Sequence, residues 1–519
     1  MENINFLLPK LEYKEFTWIL QDEHNPASHP PLIASASPLV KPIDTENLQE
    51  IPDTLTINGF YYLRETEDRD KNQSPASKFP QTPQPESIED IIRWRKEWLP
   101  EMDNLVSLLE NFDPTLVPSG QWKQILNEHD DEYRRVFRGI HASAVATAHL
   151  AANKFLDEYT KYEKDSSREE GMVFLQGFSN RSLDRSVALW ELSRLIRGEE
   201  DSIYEILKGE FSFKSPNAQQ FFELYNSMLS EFGSTSNNGL QDLPTWRDGS
   251  SIPLDIIRSY AGQDDSKGPA NASMQQKSKR LILESKLRKK AKNDSEYSNL
   301  VYLMEIAQHF LPNLEDHNLL CDQQCVTSSR NRWLNIGKYL KGKFILIDDN
   351  DVFFYTRNEL LEALENNFLL DQEELDHRKF IQDQFRKVSP PLSLGKPSSS
   401  LEKNSVVPVE GFVQKIIKGN PASFGVYSGI ARVFESINDA QSLQDGEILV
   451  VRALSPPWTP YLAIAGGVVT NSGGPLSHGA ILAREFGVPA IVGTKNATDI
   501  IHDGMFITIN GSDGTIIVQ

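Results

Sequence analysis

Cysteine is nearly absent: Cys321 and Cys325 are the only two in 519 residues. Two cysteines cannot staple a chain of this length. Spaced about one helical turn apart among apolar and Gln residues, they read as ordinary helix interior and surface, and no metal site is assigned to them or to any other cluster. Long apolar runs are missing too. None approaches the roughly 20 residues needed to span a bilayer, and the opening MENINFLLPKLEYKEF has acidic residues where a secretory signal has a basic start and a long apolar core. No membrane partner and a cytoplasmic location are expected. Positive charge is in deficit, 53 Lys and Arg against 73 Asp and Glu, a formal charge of −20 with neutral histidines. That field repels polyanions, so nucleic acid is not an expected partner. Gly and Pro, at 30 and 29, are too sparse for a fibrous or low-complexity protein.

What remains is a multidomain globular chain: 39% hydrophobic residues suffice for real cores, and the length suggests roughly three domains. Residues 1–65 read as a strand-containing lead-in, because TLTINGFYYLRE alternates around an Asn58-Gly59 turn signal. Thr66 to Ser87 is a polar, Pro-rich linker (66–87). From Ile88 to Val388 (88–388) the apolar spacing becomes helical, with one further polar break expected from Gln263 to Gln276. A third polar stretch, Ser389 to Ser405, marks a flexible tether (389–408). Residues 409–519 form an α/β unit of short Val/Ile-rich strands divided by turns.

The chemistry concentrates in AGGVVTNSGGPLSHGAILAREFGVPAIVG. It reads as a strand ending at Thr470, a glycine loop, Ser477 at an N-cap position, then a helix stopped by Gly487 and Pro489. His478 stands at the first turn of that helix, where unpaired backbone N–H groups favour an anion. Gly473 and Gly474 let the backbone approach a tetrahedral group, and with Ser477 and Gly479 they are the expected phosphate-binding residues. An imidazole is nucleophilic at neutral pH and forms a P–N bond that stays labile, as a temporary carrier requires.

TNSGGPLSHGAILAREFGVPAIVGT resembles the phosphohistidine swivelling domain of the PEP-utilising enzymes: phosphoenolpyruvate synthases, pyruvate phosphate dikinases and rifampicin phosphotransferases. The likeness runs through Thr470, Gly473, Gly474, Ser477, His478, Ala480, Ala483, Arg484, Glu485, Gly487, Pro489 and Gly493. It makes His478 the phosphorylated residue, with Thr470 and Arg484 as further motif positions. Leu476 replaces a threonine that dikinases carry for regulatory phosphorylation, so that regulation is expected to be absent, and Phe424 stands where the family usually has Pro.

The helical region resembles, less specifically, the acceptor-binding part of rifampicin phosphotransferases and phenylphosphate synthases, through GMVFLQGFSNRSLDRSVALWELSRL and RNRWLNIGKYLKGKFILIDDNDVFFYTRNELLEAL. Ser234 and Thr235 replace the His-Arg pair that those relatives often carry, so the acceptor does not transfer with the resemblance. The implied fold is a mainly α-helical acceptor domain plus a C-terminal α/β (β/β/α-type) phosphohistidine swivelling domain.

The implied donor system is an N-terminal ATP-grasp domain of roughly two ordinary domains' length or a C-terminal phosphoenolpyruvate barrel. Neither is expected, with too little chain before Ile88, none after Gln519, and a middle that lacks the strand-rich, glycine-loop pattern that holds a nucleotide. GKYLKGKF (Gly337 to Phe344) mimics a P-loop, but ends in Phe344 where Ser or Thr should bind Mg²⁺ and runs from helix to strand. The expectation is therefore a phosphotransferase subunit that binds no ATP alone. A separate ATP-grasp protein would charge His478 from ATP with Mg²⁺, releasing AMP and phosphate, and His478 would discharge to a small-molecule hydroxyl acceptor. Two alternatives stand beside it: a phosphorylatable regulatory module without turnover, and a donor of an activated intermediate for dehydration or condensation. For the acceptor site, His141 in the small-residue stretch GIHASAVATAHLAANKF is a candidate base, and Asn180 and Arg181 are candidate binding residues that helix capping and solvation explain equally well. Asp348, Asp349 and Asp351 lack full EF-hand spacing and read as a solvated turn.

Overall fold

The computed structural model is described over residues 14, 16–20, 28–36, 54–65, 94–164, 166–198, 217–236, 240–249, 251–292, 294–388, 390–391, 393–396 and 415–518. The expected linker 66–87 and most of the expected tether lie outside these residues.

The lead-in hairpin forms as its turn signal dictates. Strands β2 (Thr54–Ile57) and β3 (Phe60–Arg64) pair antiparallel around Asn58 and Gly59, both at positive φ, the combination that matches strand twist in two-residue hairpins. A Cβ on Gly59 would stand 2.4 Å from the His29 carbonyl oxygen, so glycine is required there. Strand β1 (Thr17–Leu20) pairs with β3 on one side and with β4 (Ser393–Gly395) on the other. Within the expected tether, Ser393–Gly395 are thus a strand of the N-terminal sheet, where Leu394 packs beside Trp18 on a small core of Leu20, Leu55, Phe60 and Tyr62.

The middle of the chain is helical, with helix starts where polar caps stand. Ser167 and Thr356 form capping boxes with Glu170 and Glu359, and Asn180 and Asp294 cap helices Arg181–Leu195 and Ser295–Phe310. The expected break at 263–276 is shorter than its composition suggested. Pro269 opens helix Pro269–Ala291 at a position where its missing N–H costs nothing. The expected strand after Gly337–Phe344 is also absent: helix Val326–Gly342 gives way to a 3₁₀ turn, Asp349–Phe354. Asp348 caps that turn, while Asp351 is buried against Lys379 rather than solvated.

The C-terminal unit is an eight-stranded sheet in the order β5-β12-β11-β7-β8-β9-β10-β6. Its strands are β5 (Lys415–Lys418), β6 (Asn420–Ser423), β7 (Val426–Phe434), β8 (Ile448–Val451), β9 (Gly467–Thr470), β10 (Ala490–Val492), β11 (Phe506–Asn510) and β12 (Thr515–Val518). β7 joins two halves, antiparallel to β11 and parallel to β8. β8, β9 and β10 run parallel and are buried throughout, as parallel strands covered on both faces must be. Helix His478–Phe486 makes the crossover from β9 to β10.

This unit sits against the helical region through a continuous apolar core. Leu183, Phe221 and Ile257 on one side join Phe434, Trp458 and Leu482 on the other, and Ile481 enters a second core with Phe155 and Phe174. Full burial of one such side chain is worth roughly 1.5–3 kcal/mol, so this is a docked arrangement.

Candidate functional site

Strand β9 delivers the chain to the carboxyl edge of the parallel strands, where open α/β sheets bind ligands. Thr470 fixes the exit: its hydroxyl donates to the Ser472 carbonyl at 2.6 Å, and its own carbonyl accepts from the Thr494 hydroxyl at 2.8 Å. Gly473 turns the loop at φ +112°, where a Cβ would meet Ser477 Oγ at 2.9 Å, whereas a Cβ on Gly474 would meet nothing within 4 Å. Ser477 occupies the N-cap, but its side chain makes no cap hydrogen bond; its buried Oγ has no hydrogen-bond partner and faces the same cavity as His478. Gly479 is needed for packing, since its Cβ would lie 2.8 Å from Leu454 Cβ. Arg484 lies away from the loop. It is buried, donates to the Ala422 carbonyl at 2.7 Å, and has its pKa brought down to about 10 by burial, so it ties the helix to β6.

The imidazole of His478 meets three side chains that sequence reasoning did not single out. Nδ1 lies 2.8 Å from Glu315 Oε2 and 3.0 Å from Asn318 Nδ2, both from helix Asn313–Leu319 of the helical region. Nε2 lies 3.2 Å from Thr459 Oγ1, in the 3₁₀ turn Pro456–Ala463. A carboxylate contact outweighs a neutral amide one. Glu315, 1% exposed, stands at ion-pair distance from Nδ1 without accepting a hydrogen bond from it, while the Thr459 hydroxyl donates to the Pro456 carbonyl at 2.8 Å and offers Nε2 an acceptor oxygen. The only sequence signal for Glu315 and Asn318 was four consecutive polar residues, Glu315 to Asn318, set between leucines in a short helix.

A cavity of about 90 Å³ adjoins His478, walled by Val145, His149, His317, Ser455, Leu476 and Ser477 among others. Drug-sized ligand pockets occupy about 300–1,000 Å³, so this space suits a phosphoryl group and little more. The small-residue helix Gly139–Tyr162 does reach it, through Val145 and His149. His141 does not line it, and pairs with Asp322 at 3.3 Å. Asn180 and Arg181 do not line it either: Asn180 accepts from the Leu183 N–H at 2.9 Å, and Arg181 pairs with Glu231. Arg185, buried, donates to Thr235 at 3.1 Å and to the Pro456 carbonyl, bridging the helical region to the turn that holds Thr459. On the far side of the histidine helix both oxygens of Glu485 accept from the Gly177 N–H at 2.9 Å. Burial pushes the Glu485 carboxyl up to about 8 against the opposing pull of that N–H, Arg484 and Arg280.

A strand, a glycine loop and a histidine opening the crossover helix define a mobile-domain type of site. Residues 443–514 match the family model described as PEP-utilising enzyme, mobile domain, and the likeness to PEP-utilising enzymes stated from the motif is borne out. Chondramide synthase of Chondromyces crocatus is 28% identical over 83% of this chain and 12% of its own length. An uncharacterized phosphotransferase of Bacillus subtilis, YvkC, is 26% identical over 73% of this chain and 47% of its own. Rifampicin phosphotransferase of Bacillus cereus is 38% identical over 34% of this chain and 20% of its own. The chain thus spans less than half the length of each of these relatives. Among the described residues no helix is long and apolar enough to cross a membrane.

Proposed function

We propose that this chain is a phosphotransferase unit in which His478 accepts a phosphoryl group and passes it to an organic hydroxyl compound. The observation that carries the reading is His478 at the head of the crossover helix, beside a cavity of phosphoryl size and within ion-pair distance of the buried Glu315. In charging, the Nε2 lone pair attacks phosphorus, the P–N bond forms and the donor's P–O bond breaks. In discharge, the acceptor oxygen attacks, the P–N electrons return to Nε2, and the hydroxyl proton passes to a base on the cavity wall, where His149 stands. Transfer from a preactivated histidine asks mainly for alignment and exclusion of water.

The donor in this reading is an ATP-grasp unit on a separate protein, which binds ATP and Mg²⁺ and releases AMP and phosphate. The P-loop-like string of this chain does not fit a nucleotide: a Cβ on Gly337 would meet the Asp349 carbonyl oxygen at 2.1 Å, so that glycine packs on backbone instead of facing an anion. An acceptor larger than a few atoms needs the C-terminal unit to move off the helical region. The test incubates the chain and a candidate ATP-grasp protein with ATP labelled at the β- or the γ-phosphorus. One acid-labile phosphate should appear on the wild type and none on His478→Ala. Label retained by that variant, or taken up by the chain without a partner, contradicts the reading.

A further inference from the structure

Beside the His478 site, residues from three elements of the helical region converge. His141 lies near the start of helix Gly139–Tyr162, His317 in helix Asn313–Leu319, and Asp322 in the turn that follows it. Their ligand atoms all lie within 4.8 Å of one another. His141 Nε2 is 3.3 Å from Asp322 Oδ1, and His317 Nε2 is 4.0 Å from Asp322 Oδ2. The two rings meet edge to face, centroids 4.8 Å apart, with both Nε2 atoms within 4.0 Å of one carboxylate.

Two independent features go with this convergence. His317 Nδ1 lies 3.1 Å from the Asn313 carbonyl oxygen, and an N–H donated there leaves the Nε2 lone pair facing Asp322 and His141. Histidines that bind metals are commonly oriented by such a bond from the other ring nitrogen. The backbone is also π-helical on both sides of the site, at Arg134–Arg138 just before His141 and at Leu320–Cys325 around Asp322. Such bulges are rare and recur at functional sites.

We propose that His141 Nε2, His317 Nε2 and the Asp322 carboxylate bind one divalent transition-metal ion of the Zn²⁺ class. Two imidazoles and a carboxylate suit Zn²⁺, Co²⁺ or Ni²⁺, whereas Mg²⁺ and Ca²⁺ take oxygen ligands. With metal–ligand bonds of about 2.0–2.2 Å, small side-chain shifts bring the three atoms onto one ion. Three protein ligands leave a coordination position open. His317 also walls the cavity at His478 and shares its helix with Glu315 and Asn318, so the ion would brace the helix that orients the carrier histidine. Binding at this site does not depend on the phosphoryl-transfer reading.

The test uses the untagged full chain stripped with a chelator and titrated with Zn²⁺ against a chromophoric competitor. One equivalent should bind, and Asp322→Asn and His141→Gln should each weaken it at least about tenfold, while His502→Gln should not. Co²⁺ added to the wild-type chain should give visible d–d bands without a thiolate charge-transfer band, a readout independent of whether the variants fold. Absence of stoichiometric Zn²⁺ binding, unchanged affinity in both folded variants, or a thiolate signature from Cys321 and Cys325 would each overturn the proposal.

Discussion

Glu315 Oε2 lies 2.8 Å from His478 Nδ1, so the residue at the head of the crossover helix takes its orientation from a helix more than 150 positions earlier in the chain. The contact joins the two halves of the protein at the candidate site. Glu315 is a positioning residue, acting through the imidazole.

Replacing it with the isosteric amide, Glu315→Gln, keeps the shape and removes the charge that stands beside Nδ1. We expect phosphorylation of His478 to slow by about ten- to a hundredfold, the span for partners that orient a functional imidazole through its other nitrogen. The melting temperature should change little by comparison. ³¹P NMR of the charged wild type should place phosphorus on Nε2. Phosphate found on Nδ1 would mean that the nitrogen beside Glu315 is the nucleophile.

Glu485 gives the docked arrangement a pH dependence. Its carboxyl is pushed from 4.5 up to about 8 by burial, so the folded protein favours the neutral form. Stability from this group is complete below the unfolded value and is lost as pH rises through about 8. Asp316, pushed up to about 6 by burial, contributes with the same sign in a lower window. Melting temperature should therefore fall between about pH 5 and 8, and Glu485→Gln, whose carbonyl can still accept from Gly177, should flatten the upper part of that fall. An identical slope in the variant would assign the effect to another group.

The local features were legible in the sequence where one residue type answers one backbone need. Asn58-Gly59 marked the hairpin, Asn180 its helix start, and the string from Thr470 to Gly493 the whole strand–loop–helix–strand unit. What could not be read was long-range. Nothing in NLEDHNLL says that Glu315 faces His478 and that His317 instead faces His141 and Asp322, because both are pairings across helix packing. The break at Gln263 to Gln276 misled for a related reason: polar composition marks a loop, but an exposed helix face that starts at a proline has the same composition.

Adjacent glycines in the loop should behave differently. Gly473 sits at φ +112° with Ser477 Oγ 2.9 Å from where a Cβ would stand, and Gly474 has free space around it. Gly473→Ala should cost about 1–3 kcal/mol, the range for side chains held in rarely populated backbone regions. Gly474→Ala should stay within about 0.5 kcal/mol of wild type, as substitutions free of such features do. Denaturant unfolding of both variants decides it. Equal losses would show that Gly474 also needs its conformational freedom.

Cleavage in the stretch joining the two units tests how firmly they are docked. Ser393–Gly395 is held in the N-terminal sheet by pairing with Thr17–Leu20, so a protease should first cut beyond Lys396, within the polar, Pro- and Ser-containing sequence that ends near Ser405. The C-terminal fragment should begin around Val406 to Gly411. Because Phe434, Trp458 and Leu482 share a core with Leu183, Phe221 and Ile257, the nicked halves should co-elute in size-exclusion chromatography and separate only in denaturant. If they part in plain buffer, the shared core is too weak to hold the docked state, and His478 must spend much of its time away from Glu315.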